Sequence, residues 1–340
     1  MKTVQLGGTA SDVKVAQIAH GLMHMTWNPL PTPDEQCFEA IKAGIDALPE
    51  GTKMVLNSAE FYGAGMGTGN LEMLSRFFAK YPQYVDKTFL MVKGGFNPKT
   101  FGPDSSPDFL RNSVDICQRA LGSQKKIDAY QPARVDSRFP IEDTMKVLVE
   151  LKNQGKFGHI GLSECSAATM RKAHAVHPLV AVEIEISLFS YEEETGKVIA
   201  AANELGVAVL GYSPLGQGVL GGSLKSSADL PTGDLRHQLA RYKEEELKHN
   251  LLIVEELTGF AKTKGITVGQ LCIAWVGALS PRIIPLPGSS KATRTLENLA
   301  VSKIELSKED IQKIDGIVAK HGVKGARGFG GPPEKSHLWG

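Results

Sequence analysis

Paired cysteines, long apolar runs and an excess of either charge are all missing from this chain of 340 residues. Its four cysteines, Cys37, Cys117, Cys165 and Cys272, are scattered and form no Cys-x-x-Cys pair. That spacing signals neither a disulfide framework nor a zinc cluster, and reduced thiols are expected. His174 and His177 stand three apart on an expected helix, but no third ligand is spaced with them, so no metal site is expected. Basic and acidic residues, 38 against 37, are mixed throughout, which speaks against a nucleic-acid surface. No apolar run is long enough to span a bilayer, and Met1 to Gly8 lacks the apolar core of a signal peptide. A cytoplasmic protein without a membrane partner, monomeric or weakly self-associating, is the expectation.

What is present is a rhythm. The length fits one large α/β barrel or two smaller domains. Val4-Gln5-Leu6 and Val13-Lys14-Val15, about Gly7-Gly8, read as a small hairpin. A first core strand follows near Ile18 to Gly21. Thr32-Pro33-Asp34-Glu35 reads as a helix start, with Thr32 as N-cap, Pro33 in the first helical position and Glu35 completing a capping box; the helix is expected to run to about Leu48. Further apolar strands are expected at 54–56, 89–93, 127–131, 159–162, 180–186, 207–210 and 283–286, with helices between them. Eight strands, each followed by a helix, give a single (β/α)₈ TIM barrel over 1–320, with an N-terminal hairpin and a tail at 321–340.

In such a barrel the chemistry sits at the carboxyl ends of the strands. Met54-Val55-Leu56 runs into Asn57-Ser58-Ala59-Glu60-Phe61-Tyr62-Gly63, and Phe89 to Val92 ends in Lys93 before two glycines. A lysine closing a buried strand needs a partner or a task. Beside Tyr62 it would stabilise the phenolate, lower the tyrosine pKa and make the phenol a proton donor to a carbonyl oxygen. Glu183 and Glu185 alternate with apolar neighbours on one strand face, and in a closed barrel that face is not a wet edge. Gly216-Gln217-Gly218-Val219-Leu220-Gly221 spells GxGxxG, yet it comes late in the chain and after Tyr212-Ser213-Pro214, so it reads as a loop and not a Rossmann turn. Lys291 and Arg294 at a helix start form a candidate phosphate site. The tail contains Arg327, Phe329, His337 and Trp339, and is expected to fold over the pocket mouth.

The ordered set Asn57 to Gly63, the Lys93 strand, Ile127-Asp128-Ala129-Tyr130-Gln131 with Asp136, Gly161-Leu162-Ser163, Gly211 to Gly216 and Pro285 to Ser289 through Glu297-Asn298 resembles the aldo-keto reductase superfamily across most of the chain. The resemblance implies NADPH bound in extended form, a small carbonyl substrate, and Tyr62 as proton donor with Lys93 and Asn57 beside it. It puts Asn57 where the family has an aspartate, leaving Lys93 poorly compensated, and Ala133 where the family has a histidine. It assigns Ser163, Glu164 and Glu183 to the nicotinamide carboxamide, Tyr212 to the nicotinamide ring, and Ser213, Leu215, Gly216 and Gly218 to the same cofactor. Ser289, Lys291 and Arg294 go to its 2′-phosphate, and Glu297 and Asn298 to its adenine. His24, Trp27 and Arg134 fall where substrate would pass. Both departures make the chain most similar to the pyridoxal reductase branch, implying reduction of pyridoxal to pyridoxine. A broad aromatic aldehyde reductase and a non-catalytic NADPH-sensing subunit are the alternatives.

Overall fold

The computed structural model describes residues 1–28, 30–328 and 337–340. Among these, eight parallel strands alternate with helices: His20–Gly21, Met54–Ala59, Thr88–Gly94, Ala129–Pro132, His159–Ile160 continued as Leu162–Ser163, Ala181–Glu185, Ala208–Tyr212 and Ile283–Leu286. Strands one to five pair in chain order, as do strands five to eight, and the fifth strand, broken at Gly161, belongs to both runs. A Cβ at Gly161 would lie 2.9 Å from Gln131 Oε1 and 3.1 Å from Ala181 O, so any larger residue would crowd its neighbours there. The ring closes where Ala19 N donates to Pro285 O at 2.9 Å and Gly21 N to Pro287 O at 3.0 Å. Every barrel strand therefore has a neighbour on both sides, and the expected (β/α)₈ barrel is the fold.

Period-two alternation divides the strand residues between two cores. Leu56, Leu90, Val92, Tyr130, Val182, Ile184 and Val209 point outward into the layer covered by helices. Val55, Phe89, Met91, Ala129, Ala181, Ala208, Leu210 and Ile284 point inward, and Leu6, Ala10 and Val15 of the hairpin segment close the inner core from below. The hairpin pairs Thr3–Gln5 with Lys14–Ala16. It is tied to the amino ends of the strands by Gly7 N to Val180 O, 2.9 Å, and Ala16 N to Lys53 O, 3.0 Å.

The first long helix departs from expectation. It spans Asp34–Asp46, with Pro33 at the cap in an extended conformation and no side-chain cap, so the capping box does not form. Both acids of its first turn are drawn to the next helix: Asp34 pairs with Arg76 at 2.6 Å and Glu35 with Lys80 at 2.5 Å. Thr32 N instead donates to Met25 O at 2.9 Å, fastening the loop after the first strand. A second departure is an unforeseen antiparallel pair, Phe96–Asn97 with Gly102–Pro103, after the third strand. No described helix is long and apolar enough to cross a membrane.

Candidate active site

Continuing the inward parity toward the carboxyl ends replaces apolar side chains by Asn57, Lys93, Gln131, Ser163, Glu183, Glu185 and Tyr212. Tyr62 joins this layer from the loop after the second strand. Its carbonyl accepts from Thr26 Oγ1 at 2.7 Å and from Asn70 N at 3.0 Å, which fixes the loop. Lys93 Nζ lies 5.1 Å from the Tyr62 ring centroid, as the strand ends anticipate.

The partner of Lys93 corrects one expectation. Its ammonium donates to Glu183 Oε1 at 2.9 Å, to Glu183 Oε2 at 3.2 Å and to Asn57 Oδ1 at 2.5 Å. Glu183 Oε2 also accepts from Asn57 Nδ2 at 2.7 Å and Gln131 Nε2 at 2.5 Å. Lys93 is thus compensated in full, by the acid expected on the carboxamide. Burial works against the ammonium, yet Glu183 and Tyr62 hold its pKa above the ordinary lysine value. The Tyr62 phenol is likewise raised, not lowered: burial pushes it up, Lys93 pulls it down, and Glu183 pushes it up again. The phenol therefore keeps its proton at neutral pH, as a donor must.

Beside this cluster, Ser163 Oγ, Gln131 Oε1 and Glu164 Oε2 are buried without a hydrogen-bond partner among the described residues. One hydroxyl and two acceptors suit a primary amide, which offers two N–H donors and one acceptor oxygen. These residues fit a nicotinamide carboxamide, with Gln131 in the place foreseen for Glu183. Glu164 and Ser213 hold left-handed backbone, φ +53° and +51°, at the ends of the fifth and seventh strands, where strain often marks a working site.

The other cofactor candidates divide in two. Gly216 and Gly218 lie in a 3₁₀ turn, Gly216–Gly221, with Leu215 at its cap, so the GxGxxG is a loop. Gly218 has φ +109°, and Arg236 Nη1 would lie 3.0 Å from a Cβ there, which brings a cation to that backbone. Lys291 and Arg294 are exposed at the start of helix Ala292–Ala300, and Arg294 lies 3.4 Å from Glu297. Ser289 faces inward: its Oγ lies 2.6 Å from Thr295 Oγ1 and 3.1 Å from His20 Nε2. Asn298 is buried and Glu297 accepts from Thr267 Oγ1 at 3.1 Å.

On the substrate side, the Trp27 ring lies 5.7 Å from Tyr62, and Phe61, Phe96 and Phe101 continue an aromatic run outward. Ala133 is buried, and Arg134, half-buried, donates through Nη1 to the Ala133 carbonyl at 2.6 Å. Its charge reaches both Tyr62 and Tyr212. His24 stands on the rim, Nδ1 3.4 Å from Asn28 Oδ1, and no hydrogen bond joins it to Tyr62 or Lys93 among the described residues.

The tail reaches this layer. Arg327, its side chain 5% exposed, bonds Glu164 and, at 2.8 Å, Glu185 Oε2; it also donates to the Tyr212 hydroxyl at 3.4 Å. The two acids expected at the nicotinamide carboxamide are therefore each paired with a cation, Glu183 with Lys93 and Glu164 with Arg327. Trp339 Nε1 donates to Glu192 Oε2 at 2.9 Å, and His337 and Gly340 lie against Gly102 and Val135. Phe329 lies outside the described residues.

Sequence reasoning missed Asn70, which donates to Leu22 O at 2.9 Å and Thr26 Oγ1 at 2.8 Å and accepts from Ser58 Oγ at 2.6 Å. A polar residue on the buried face of helix Gly69–Lys80 was its one signal. The described residues hold no group of three or more His, Cys, Asp or Glu able to bind a metal.

Residues 17–319 match the aldo/keto reductase family. The chain is 34% identical over 319 residues to the probable pyridoxal reductase 2 of Schizosaccharomyces pombe, covering 92% of this chain and 95% of that one. It is 36% identical over 277 residues to the aldo-keto reductase yakc, named for NADP(+), of the same organism, over 80% of each. The fold matches the glycerol dehydrogenase of Gluconobacter oxydans with a TM-score of 0.79 at 25% identity, covering 95% of this chain and 97% of that one. With the barrel, the buried tyrosine and lysine and a family match over nearly the whole length, the chain belongs to the aldo/keto reductase family of oxidoreductases.

Proposed function

We propose that the chain reduces an aldehyde with NADPH, and that pyridoxal, converted to pyridoxine, is its substrate. The observation that carries this reading is the buried Tyr62–Lys93 pair standing beside three partnerless polar atoms, Ser163 Oγ, Gln131 Oε1 and Glu164 Oε2. Those three hold the carboxamide, Tyr212 backs the ring, and Lys291 with Arg294 meets the 2′-phosphate. The nicotinamide, when bound, supplies the hydride that reduces the carbonyl carbon. Tyr62 gives its phenolic proton to the carbonyl oxygen as the C=O π bond breaks, and Lys93 stabilises the phenolate that remains. Trp27 and Phe61 flank a planar aromatic ring. Arg134, with guanidinium N–H groups beyond the one used by Ala133, faces the ionised ring oxygen of pyridoxal. Arg327, against Glu164, Glu185 and Tyr212, helps keep water from the transfer. The name of the S. pombe pyridoxal reductase relative supports the substrate, and the relative named for NADP(+) supports the cofactor.

The test is loss of NADPH absorbance with pyridoxal and, in parallel, 4-nitrobenzaldehyde, for wild type and Tyr62→Phe. General acid catalysis sets the expected loss in the mutant at about 10³-fold in kcat, with NADPH binding kept. Turnover of nitrobenzaldehyde without pyridoxal would remove the substrate assignment. Tight NADPH binding with neither aldehyde reduced would make the protein a cofactor-sensing subunit instead.

A further inference from the structure

Two acids share the inward face of the sixth strand, and they serve different cations. Glu185 accepts from Arg327 and Ser190 and lies 3.9 Å from Arg241. Glu183 turns to Lys93, and no other carboxylate lies within 4 Å of that ammonium among the described residues. Resting on the reductase reading above, we propose that Glu183 is a positioning residue for the acid step: it holds Lys93 charged and in place beneath Tyr62, and its being an acid requires residue 57 to be a neutral amide.

The geometry gives each end of Asn57 a separate duty. Its Oδ1 faces the ammonium, and its Nδ2 faces Glu183 Oε2 at 2.7 Å. An aspartate there would turn an oxygen toward a carboxylate oxygen at the same separation. Two like charges so close cannot both persist in a buried site, so one acid would take up a proton and the pair would titrate together. Burial makes this severe: Asn57, Lys93, Gln131 and Glu183 are 2%, 4%, 0% and 3% exposed. Gln131 Nε2 also donates to Glu183, so Asn57, Lys93 and Gln131 all converge on that carboxylate. With Gln in place of Glu183, a dry ammonium would keep only neutral acceptors, and such a group gives up its charge readily. Around Tyr62 the charged groups are Lys93, Glu183 and Arg134. Removing the Glu183 charge lets the lysine lose its proton sooner and also relieves the phenol of a negative neighbour. Both changes bring the alkaline limb of reduction to lower pH.

A four-protein cycle tests this: wild type, Asn57→Asp, Glu183→Gln and the double variant, assayed with both aldehydes across pH, with NADPH affinity from fluorescence quenching and melting without substrate. Each single variant is expected to lose about tenfold or more in kcat, with the Glu183→Gln limb about one unit lower and NADPH affinity within about threefold. In the double variant the acid has changed sides, Lys93 regains a carboxylate, and kcat returns to within about fivefold of wild type. A double variant no better than the worse single overturns the proposal. So does a Glu183→Gln protein that loses NADPH affinity about tenfold with an unmoved limb, since Glu183 is then a cofactor ligand. If wild type reduces neither aldehyde, the reductase reading has failed and melting alone decides: a double variant more stable than both singles supports the dependence of 57 on 183, and one at or below them overturns it.

Discussion

Along the same strands, the interior of the barrel changes from hydrocarbon to charge in one step of the pleat. Val55, Met91, Ala129, Ala181 and Leu210 are followed two residues on by Asn57, Lys93, Gln131, Glu183 and Tyr212, a rise of roughly 7 Å. Burial does not separate the two ends, since Val55 and Met91 are fully buried and Lys93 and Glu183 nearly so. Closure does. The lower end is sealed by Leu6, Ala10 and Val15, whereas the upper end keeps Ser163 Oγ, Gln131 Oε1 and Glu164 Oε2 without partners among the described residues. A buried layer whose hydrogen bonds close on themselves serves stability, and one that leaves buried atoms open is shaped for something that arrives.

The contrast is sharpened most by changing one residue at each end. Tyr62→Phe is expected to raise the barrier by about 4 kcal/mol, the equivalent of a 10³-fold loss, with little change in melting. Leu6→Ala is expected to do the reverse. Emptying a site that is 1% exposed beneath the inner core costs about 3 kcal/mol in urea denaturation while kcat is kept. A large stability loss in the first, or a matching activity loss in the second, would show that the two ends act as one unit.

A third layer refines the comparison. His20 lies outside the barrel wall, with Nε2 2.9 Å from Ser289 O and no partner for Nδ1 among the described residues. Burial lowers its pKa to about 4. The folded protein thus holds a neutral imidazole, and the unfolded chain takes up a proton below about pH 6.5. The stability this group contributes is complete above about 6.5 and is lost as pH falls toward 4, up to about 3 kcal/mol. His20→Leu should flatten the acid side of the melting curve; an unchanged slope would assign acid sensitivity to other groups.

What was legible in the sequence, and what was not, follows range. The strands could be read because each announces itself in three to seven residues, and Tyr62 and Lys93 because polar residues ending apolar runs are locally odd. The shared face of Glu183 and Glu185 was equally local. Their partners were not: Lys93 lies 90 residues from Glu183, and Arg327 lies 163 from Glu164. The capping box failed for the same reason, with Asp34 and Glu35 taken by Arg76 and Lys80 in the next helix. The sign of the Tyr62 shift was lost because proximity to a cation can be inferred from strand order, while the burial that outweighs it cannot.

The smallest effect is expected where the polar end meets water. Lys291 and Arg294 are exposed at the start of helix Ala292–Ala300, and Arg294 already has Glu297 at 3.4 Å. Hydration and that acid both compete for the guanidinium, so its contact with a phosphate is worth far less than a buried one. Arg294→Met is expected to weaken NADPH about tenfold, or about 1.4 kcal/mol, at low salt, and less as salt rises. NADH, which lacks the 2′-phosphate, should bind as before, and kcat at saturating NADPH should not move. Equal weakening of both cofactors would place Arg294 on a part they share. No change in either would leave this helix face merely solvated, with the choice of cofactor made elsewhere on the rim. In the expected case the polar end grades outward: barrier at Tyr62, charge at Lys93 and Glu183, and at Arg294 only the identity of the cofactor.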